Sequence, residues 1–473
     1  MKPGPPFMAL GLAVSLAVAT SCIRYHAKPL EPAQVMSDFE SRTLASPELG
    51  AFLTRNGEVK NWPPDVWDLK ALTLAALYYH PDMDVARAQW GVARGGVITA
   101  GERPNPTLNI ITGYNSTTPV SEITPWIPEV SLDIPIETAG KRGIRIAQAR
   151  KLAEAARWDI FTTAWEVRSR LRGALLEDYA TGEQERLLSE QEKLQAETAR
   201  LLEVQKNVGE VSAYEVAQAR VAMDNARLAA IEAARVHEGA MAGLAAAVGL
   251  PRKALDGITL TFDTFRRPPA PDLPAGEVRR HAVLNRSDVL GALAEYAAAE
   301  AALRLEIAKQ YPDIRLGPDY QLDQTDNKWT LGLSFDLPIL SHNRGPIAEA
   351  MARRAESAAR FLSLQAQVLG ELDAAVAGCR SALRKFQAAE DLETHMVAQA
   401  TAVAARRGLG EISTLELLTI RLELNASAQA RLEALVQAQE AVGRLENAAQ
   451  SPLDVKDWIT TMRREPADPG KER

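Results

Sequence analysis

Two glutamates stand at matching places in this chain: Glu215 lies six residues past Gly209, and Glu416 six residues past Gly410. Gathered around a common axis, such carboxylates make a ring that draws cations and repels anions. Arg406 and Arg407 lie just ahead of the second glycine, on the preceding helix, and could tie such carboxylates across helices. The competing reading is that both glutamates are solvated first-turn acids favoured by the helix dipole.

The other candidates for chemistry are few. His237-Glu238 opens like a zinc-protease motif, but Met241 stands where the second ligand belongs, one helical turn on. His80, Asp82 and Asp84 in "HPDMD" look like metal ligands, yet Pro81 and Asp82 read better as the start of a helix, where acids suit the dipole. No phosphate-binding glycine loop stands between a strand and a helix. The sequence therefore predicts no enzyme, no cofactor and no metal centre.

Lys2, an apolar run from Phe7 to Ala19 and then "ATSC" read as an export signal, the run being shorter than the roughly 20 residues a membrane helix needs. Small residues before Cys22 resemble a lipobox, which would make Cys22 the acylated first residue of the mature chain. An ordinary signal peptide cleaved near Ser21, with no lipid, is the alternative. The second cysteine, Cys379, lies on a helical stretch and reads as a small buried side chain.

The elements that would hold Glu215 and Glu416 are long helices. Aromatics make up only 5% of the 473 residues, the composition of coiled coils rather than of a globular enzyme. A net charge of −7, with 54 basic and 61 acidic residues intermixed, leaves no basic stripe for nucleic acid. No proline occurs from Lys141 to Asn207, and Leu187, Leu194, Leu201 and Val208 recur every seven residues, a coiled-coil seam. That helix would reach roughly 100 Å. Gly209 ends it and Ser212 caps a returning helix over 213–248.

The same plan recurs about 200 residues later. A helix over about 346–407 runs to Gly410, Ser413 caps the next, and the chain returns over 414–449. Each long helix is preceded by a helix and two strands: "SLDIPIETAGKRG" from Ser131 has its twin in "SFDLPILSHNRG" from Ser334. Pro135 and Pro338 are expected at the strand ends nearest the helices, with Gly140, Gly143 and Gly345 making the corners. Residues 23–64 read as an irregular extended arm.

Four strands of about ten residues, alternating apolar and polar, suit an outer-membrane barrel but cannot close one, so a membrane reading requires several copies. On it, Trp329, Leu331, Leu333, Phe335 and Leu337 would face lipid, and Thr330, Gly332, Ser334 and Asp336 the lumen.

Together "RPNPTL", "DIPIETAGKRG", "GEVSAYEVAQAR", "KQYPDIRLG", "NKWTLGLSFDLPIL", "NRGPIAEA" and "GEISTLELL" resemble, in order and in duplication, the TolC-like outer-membrane efflux proteins, most like those serving heavy-metal exporters of the resistance-nodulation-division type. The resemblance runs from about Trp67 to Ala449. It implies a mainly α chain with a small membrane β part: a homotrimer whose 12-stranded β-barrel in the outer membrane continues as a long α-helical periplasmic barrel, with two internal repeats per chain. It further implies passive conduction from an inner-membrane transporter through a periplasmic adaptor protein. The adaptor would meet the tips Gly209-Glu210-Val211 and Gly410-Glu411-Ile412. Glu215, Glu416, Arg406 and Arg407 would form the periplasmic gate, although the family's gating tyrosine has no clear match and "LSHNRG" departs from its usual Phe-Asn-Arg corner.

The expected domains are a signal peptide (1–21), a lipidated arm (22–64), a first repeat (65–250), a connector (251–284), a second repeat (285–450) and a tail (451–473). A periplasmic adaptor lipoprotein and a structural coiled-coil lipoprotein stay open as alternatives. The first would carry one helical hairpin rather than two, and the second would leave the strand pairs unexplained.

Overall fold

The absence of proline from 141 to 207 is matched by one uninterrupted helix. The computed structural model describes residues 25–56, 62–117, 124–269, 275–323 and 326–453. The expected signal peptide, Cys22 and the tail from residue 454 lie outside them. The chain divides into two units at Thr43. In the first, α1 (Pro32–Glu40) has no buried residue.

The second unit begins with α2 (Pro47–Arg55), α3 (Leu69–Tyr79) and α4 (Pro81–Gly101). Strands β1 (Thr107–Tyr114) and β2 (Trp126–Ile136) lead into α5 (Lys141–Asn207) and α6 (Ala213–Val248). After a connector come α7 (Ala275–Asn285), α8 (Ser287–Ala308), β3 (Ile314–Asp323), β4 (Asp326–Phe335), α9 (Arg344–Gly408) and α10 (Thr414–Ala449). The helical hairpins α5–α6 and α9–α10 thus have arms of 67 and 36 residues and of 65 and 36 residues.

The expected irregular arm is corrected in part. Proline at the first helical position starts both α1 and α2, and the Ser46 side chain caps α2 by accepting the Leu49 N–H at 3.2 Å. Leu49 and Leu53 of α2 are fully buried with Leu72 of α3, Leu171 and Leu175 of α5, and Phe265 of the connector. A second core joins α9 and α10 through Val368, Leu372, Cys379, Leu435 and Leu445. Leu187 and Leu194 of the seven-residue series are buried, whereas Val208 at the tip is exposed.

The strands form one antiparallel sheet in the order β1-β2-β3-β4. Its prolines sit where a ladder is interrupted. Pro135 pairs with Arg315 of β3 but lies past the end of β1, whose last partner in β2 is Asp133. The β2–β3 pairing skips Pro318, which has no N–H to donate. β4 ends at Phe335, earlier than Pro338 implies, because its partner β3 starts opposite at Ile314. Leu337 and Asp336 therefore follow the strand rather than belong to it.

The corners differ from expectation too. Gly143 and Gly345 lie inside the helices, and the left-handed residues are Ala139 with Gly140 before α5, and His342 with Asn343 before α9. Asn343 Nδ2 donates to the Glu306 carbonyl at 2.7 Å, anchoring the second corner on α8.

Candidate functional site

In an antiparallel sheet, directly paired residues project from the same face. The register therefore places Leu108, Ile110 and Tyr114 of β1 on one face with Trp126, Val130 and Leu132 of β2. Ile314, Leu316 and Tyr320 of β3 and Trp329, Leu331, Leu333 and Phe335 of β4 join them. Leu331 and Trp329 are 70% and 78% exposed, so none of the described residues covers this face. Cross-strand aromatic pairs mark its hairpin end, with Tyr114 against Trp126 at 5.0 Å and Tyr320 against Trp329 at 4.7 Å between ring centroids. From Trp126 to Ile134 the strand rises roughly 26 Å, about the height of a barrel's lipid-facing band with an aromatic girdle at its rim.

The opposite face is polar. Arg315 Nη1 pairs with Asp133 Oδ2 at 3.3 Å, the Thr330 hydroxyl donates to Asp319 at 3.2 Å, and Gln321 donates to Glu129 at 3.4 Å. Gly332 and Ser334 share this face with Thr330. Among the described residues no helix is long and apolar enough to cross a membrane.

The two tips are built alike. Gly209 and Gly410 have φ of +83° and +79°, the left-handed conformation that closes a helix. Glu210 N donates to Gln205 O at 2.9 Å, and Glu411 N to Arg406 O at 3.1 Å, the long bond of a Schellman motif. Val211 and Ile412 follow at the turn, and Ser212 and Ser413 cap the returning helices by accepting the N–H of Glu215 at 3.2 Å and of Glu416 at 3.1 Å.

The two glutamates nevertheless differ. Glu215 Oε2 accepts the Ser212 N–H at 2.7 Å and its hydroxyl at 2.9 Å, completing a capping box. Those bonds, the backbone one foremost, hold its carboxyl below the usual glutamate range. Glu416 makes no such return bond to Ser413. Within one chain Arg406 pairs with Glu411 at 3.1 Å, and Arg407 donates to the Thr414 hydroxyl at 2.9 Å, so neither arginine meets Glu215 or Glu416.

His80 belongs to a helix start: its Nδ1 accepts the Asp82 N–H at 3.2 Å, and Asp82 pairs with Arg170 at 3.1 Å. Among the described residues no group of ligand side chains is arranged to hold a metal.

Sequence reasoning missed the polar junction between the hairpins. Arg168 and Arg172 of α5 both contact the buried Glu446 carboxylate of α10 at 3.2 Å. Arg172 also donates to Gln439 O at 2.9 Å, and Gln439 Nε2 reaches Phe265 O of the connector at 3.1 Å. Two arginines one turn apart on an otherwise apolar stripe were the available signal. Their partner lies 278 residues away from Arg168, beyond the reach of any spacing rule.

A family model described as outer membrane efflux protein matches residues 73–250. The chain is 26% identical over 291 residues to the cobalt-zinc-cadmium resistance protein CzcC of Cupriavidus metallidurans, which covers 61% of this chain. It spans 66% of that relative's length, just under two thirds. The fold is similar to that of the Campylobacter jejuni CmeC outer membrane channel, with a TM-score of 0.66 at 16% identity over 83% of this chain and 88% of that one. It is likewise similar to the outer membrane protein VceC of Vibrio cholerae, with a TM-score of 0.64 at 20% identity over 82% and 97%.

Proposed function

We propose that this chain, similar to the outer membrane efflux proteins over residues 73–250, is the outer-membrane channel of a tripartite efflux system. It conducts substrate passively from an inner-membrane pump and a periplasmic adaptor out of the cell. The observation that carries this reading is the four-stranded sheet with one largely apolar face and two edges, β1 and β4, that no other described strand pairs. In lipid an open edge leaves backbone groups unbonded at several kcal/mol each, so the sheet must close on other copies. Three copies give 12 strands, within the range of outer-membrane barrels. The apolar face then meets lipid, and the face bearing Asp133, Arg315 and Asp319 lines a wet lumen.

The helices support the same assembly. The outer flank of α6 exposes Tyr214, Val221 and Leu228 at seven-residue intervals, each at least 61% exposed, as a seam for a helix of the next copy. Rising about 1.5 Å per residue, α5 carries the tips roughly 100 Å from the sheet end of the helix, far into the periplasm. There Gly209-Glu210-Val211 and Gly410-Glu411-Ile412 would meet the adaptor. In a trimer Glu215 and Glu416 contribute six carboxylates around the mouth, with Arg406 and Arg407 reaching them across copies, since they do not within one. Cys22 would anchor the arm in the membrane's inner leaflet. The expected repeat, connector and arm boundaries stand as part of this proposal, as does a pump of the resistance-nodulation-division type, which the likeness to a cobalt-zinc-cadmium resistance protein supports.

The test is electrophoretic. Outer-membrane fractions should contain an SDS-resistant, heat-modifiable trimer; a monomer in the soluble periplasmic fraction would overturn the reading.

A further inference from the structure

The two hairpins are alike in length, yet one stretch of their seams is chemically opposite. In the first, His237 of α6 lies between two carboxylates of α5: its Nδ1 is 2.8 Å from Glu185 Oε2, and its Nε2 is 3.5 Å from Asp178 Oδ1. The ring rests over Gly182, where a Cβ would approach its Cε1 and Nε2 to 3.3 Å. Displaced by the 201 residues that separate Gly209 from Gly410, these four positions become Cys379, Phe386, Ala438 and Leu383. All four belong to the buried apolar core of the second hairpin. Folding a hairpin of this length therefore does not require polar groups here, and burying them is unfavourable unless each is satisfied.

They are fully satisfied in one protonation state. Asp178 is 4% exposed at its side chain, and its Oδ1 makes no well-formed hydrogen bond. A neutral imidazole has one N–H and can serve only one of its two carboxylates, leaving the other facing a lone pair. An imidazolium donates to both. We propose that Asp178, Glu185 and His237 form a proton-operated clasp that tightens the α5–α6 seam on acidification and loosens it on alkalinisation, while the α9–α10 seam stays indifferent to pH. The clasp is a property of the hairpin and stands apart from the reading of the chain as a channel.

The other charges facing the histidine do not reverse this sign. Glu238 is its neighbour on α6, and Arg252, on the turn after α6, pairs with Asp256 at 2.7 Å and with Glu238 at 3.7 Å. Burial, only partly offset by His237 and Arg252, holds the Asp178 carboxyl above the usual aspartate range. A carboxyl whose folded-state pKa is raised also favours the folded state as pH falls, in step with a histidine that gains bonds on protonation. An unperturbed imidazole changes charge between about pH 5 and 8, so a comparison of pH 6 with pH 8 is the one to make.

Amide hydrogen exchange on the full-length protein, corrected for the intrinsic effect of pH, tests this. Segments 178–190 and 230–240 should be several-fold more protected at pH 6 than at pH 8. Segments 379–391 and 431–441 should not change. His237→Gln should abolish the difference. The quadruple variant Asp178→Cys, Gly182→Leu, Glu185→Phe, His237→Ala, which copies the second hairpin's seam, should abolish it while keeping the hairpin protected at both pH values. A response shared by both hairpins, a response that persists in His237→Gln, or no response in the wild type would overturn the clasp.

Discussion

Lys141 Nζ lies 2.8 Å from Asp313 Oδ1, joining the first residue of α5 to the entry of β3 across 172 residues of sequence. The ammonium is buried and also donates to the Tyr311 carbonyl at 2.6 Å, while Asp313 accepts the Thr138 N–H at 2.9 Å. This corner fixes the angle at which sheet becomes helix. Burial alone would raise the Asp313 carboxyl, but the bonds from Lys141 and Thr138 outweigh it and hold the group below the usual aspartate range.

A carboxyl lowered in the folded state contributes stability that is complete above its unfolded value, near 3.9, and is lost as pH falls through the folded value. Wild-type protein should therefore lose thermal stability as pH falls below about 4, and Asp313→Asn should lose less over that interval. At neutral pH the variant should be less stable by about 1 to 2 kcal/mol, since Asp313 is half exposed and water screens part of the effect. Equal acid sensitivity in both proteins would remove Asp313 from the account.

The sheet faces make a paired prediction. Leu333→Arg places a charge on the apolar face and should cost about 2 to 4 kcal/mol near mid-membrane, whereas Ser334→Arg, on the polar face, should cost little. Trimer yield in outer-membrane fractions reads both, and equal losses would contradict the assignment of lipid and lumen.

At the tips, Val211→Trp and Ile412→Trp add bulk at positions that the capping bonds do not use. Efflux should be lost while trimer remains in the outer membrane. Disappearance of the trimer would mean that these residues serve only to turn the chain.

For the gate, the difference between the two caps decides which glutamate to change. Glu215 is held by Ser212, whereas Glu416 is the freer charge. In planar bilayers Glu416→Gln should lower cation selectivity more than Glu215→Gln does. Arg407→Ala should raise conductance if it latches a carboxylate of a neighbouring copy. Unchanged selectivity and conductance would leave these residues as ordinary helix-end charges.

Cys22→Ala should be processed abnormally, and wild-type protein should incorporate labelled palmitate, because two or three acyl chains are needed for stable anchoring. Normal processing together with an unlabelled wild type would indicate a plain signal peptide.

Local rules were enough for the long helices and their reversals. Proline-free, seven-residue patterning predicted α5 at Lys141–Asn207, and Gly-then-Ser punctuation placed both tips, because helix ends are set by neighbours a few residues away. Strand alternation likewise predicted which side chains share a face, though it carried β4 past Phe335, where pairing stops for want of a partner in β3. Only the tertiary structure could decide that Glu446 sits between Arg168 and Arg172, that His237 lies between Asp178 and Glu185, and that Arg406 turns to Glu411 rather than Glu416. A long charged side chain can reach any of several partners, and which one it meets depends on how helices far apart in sequence are brought side by side.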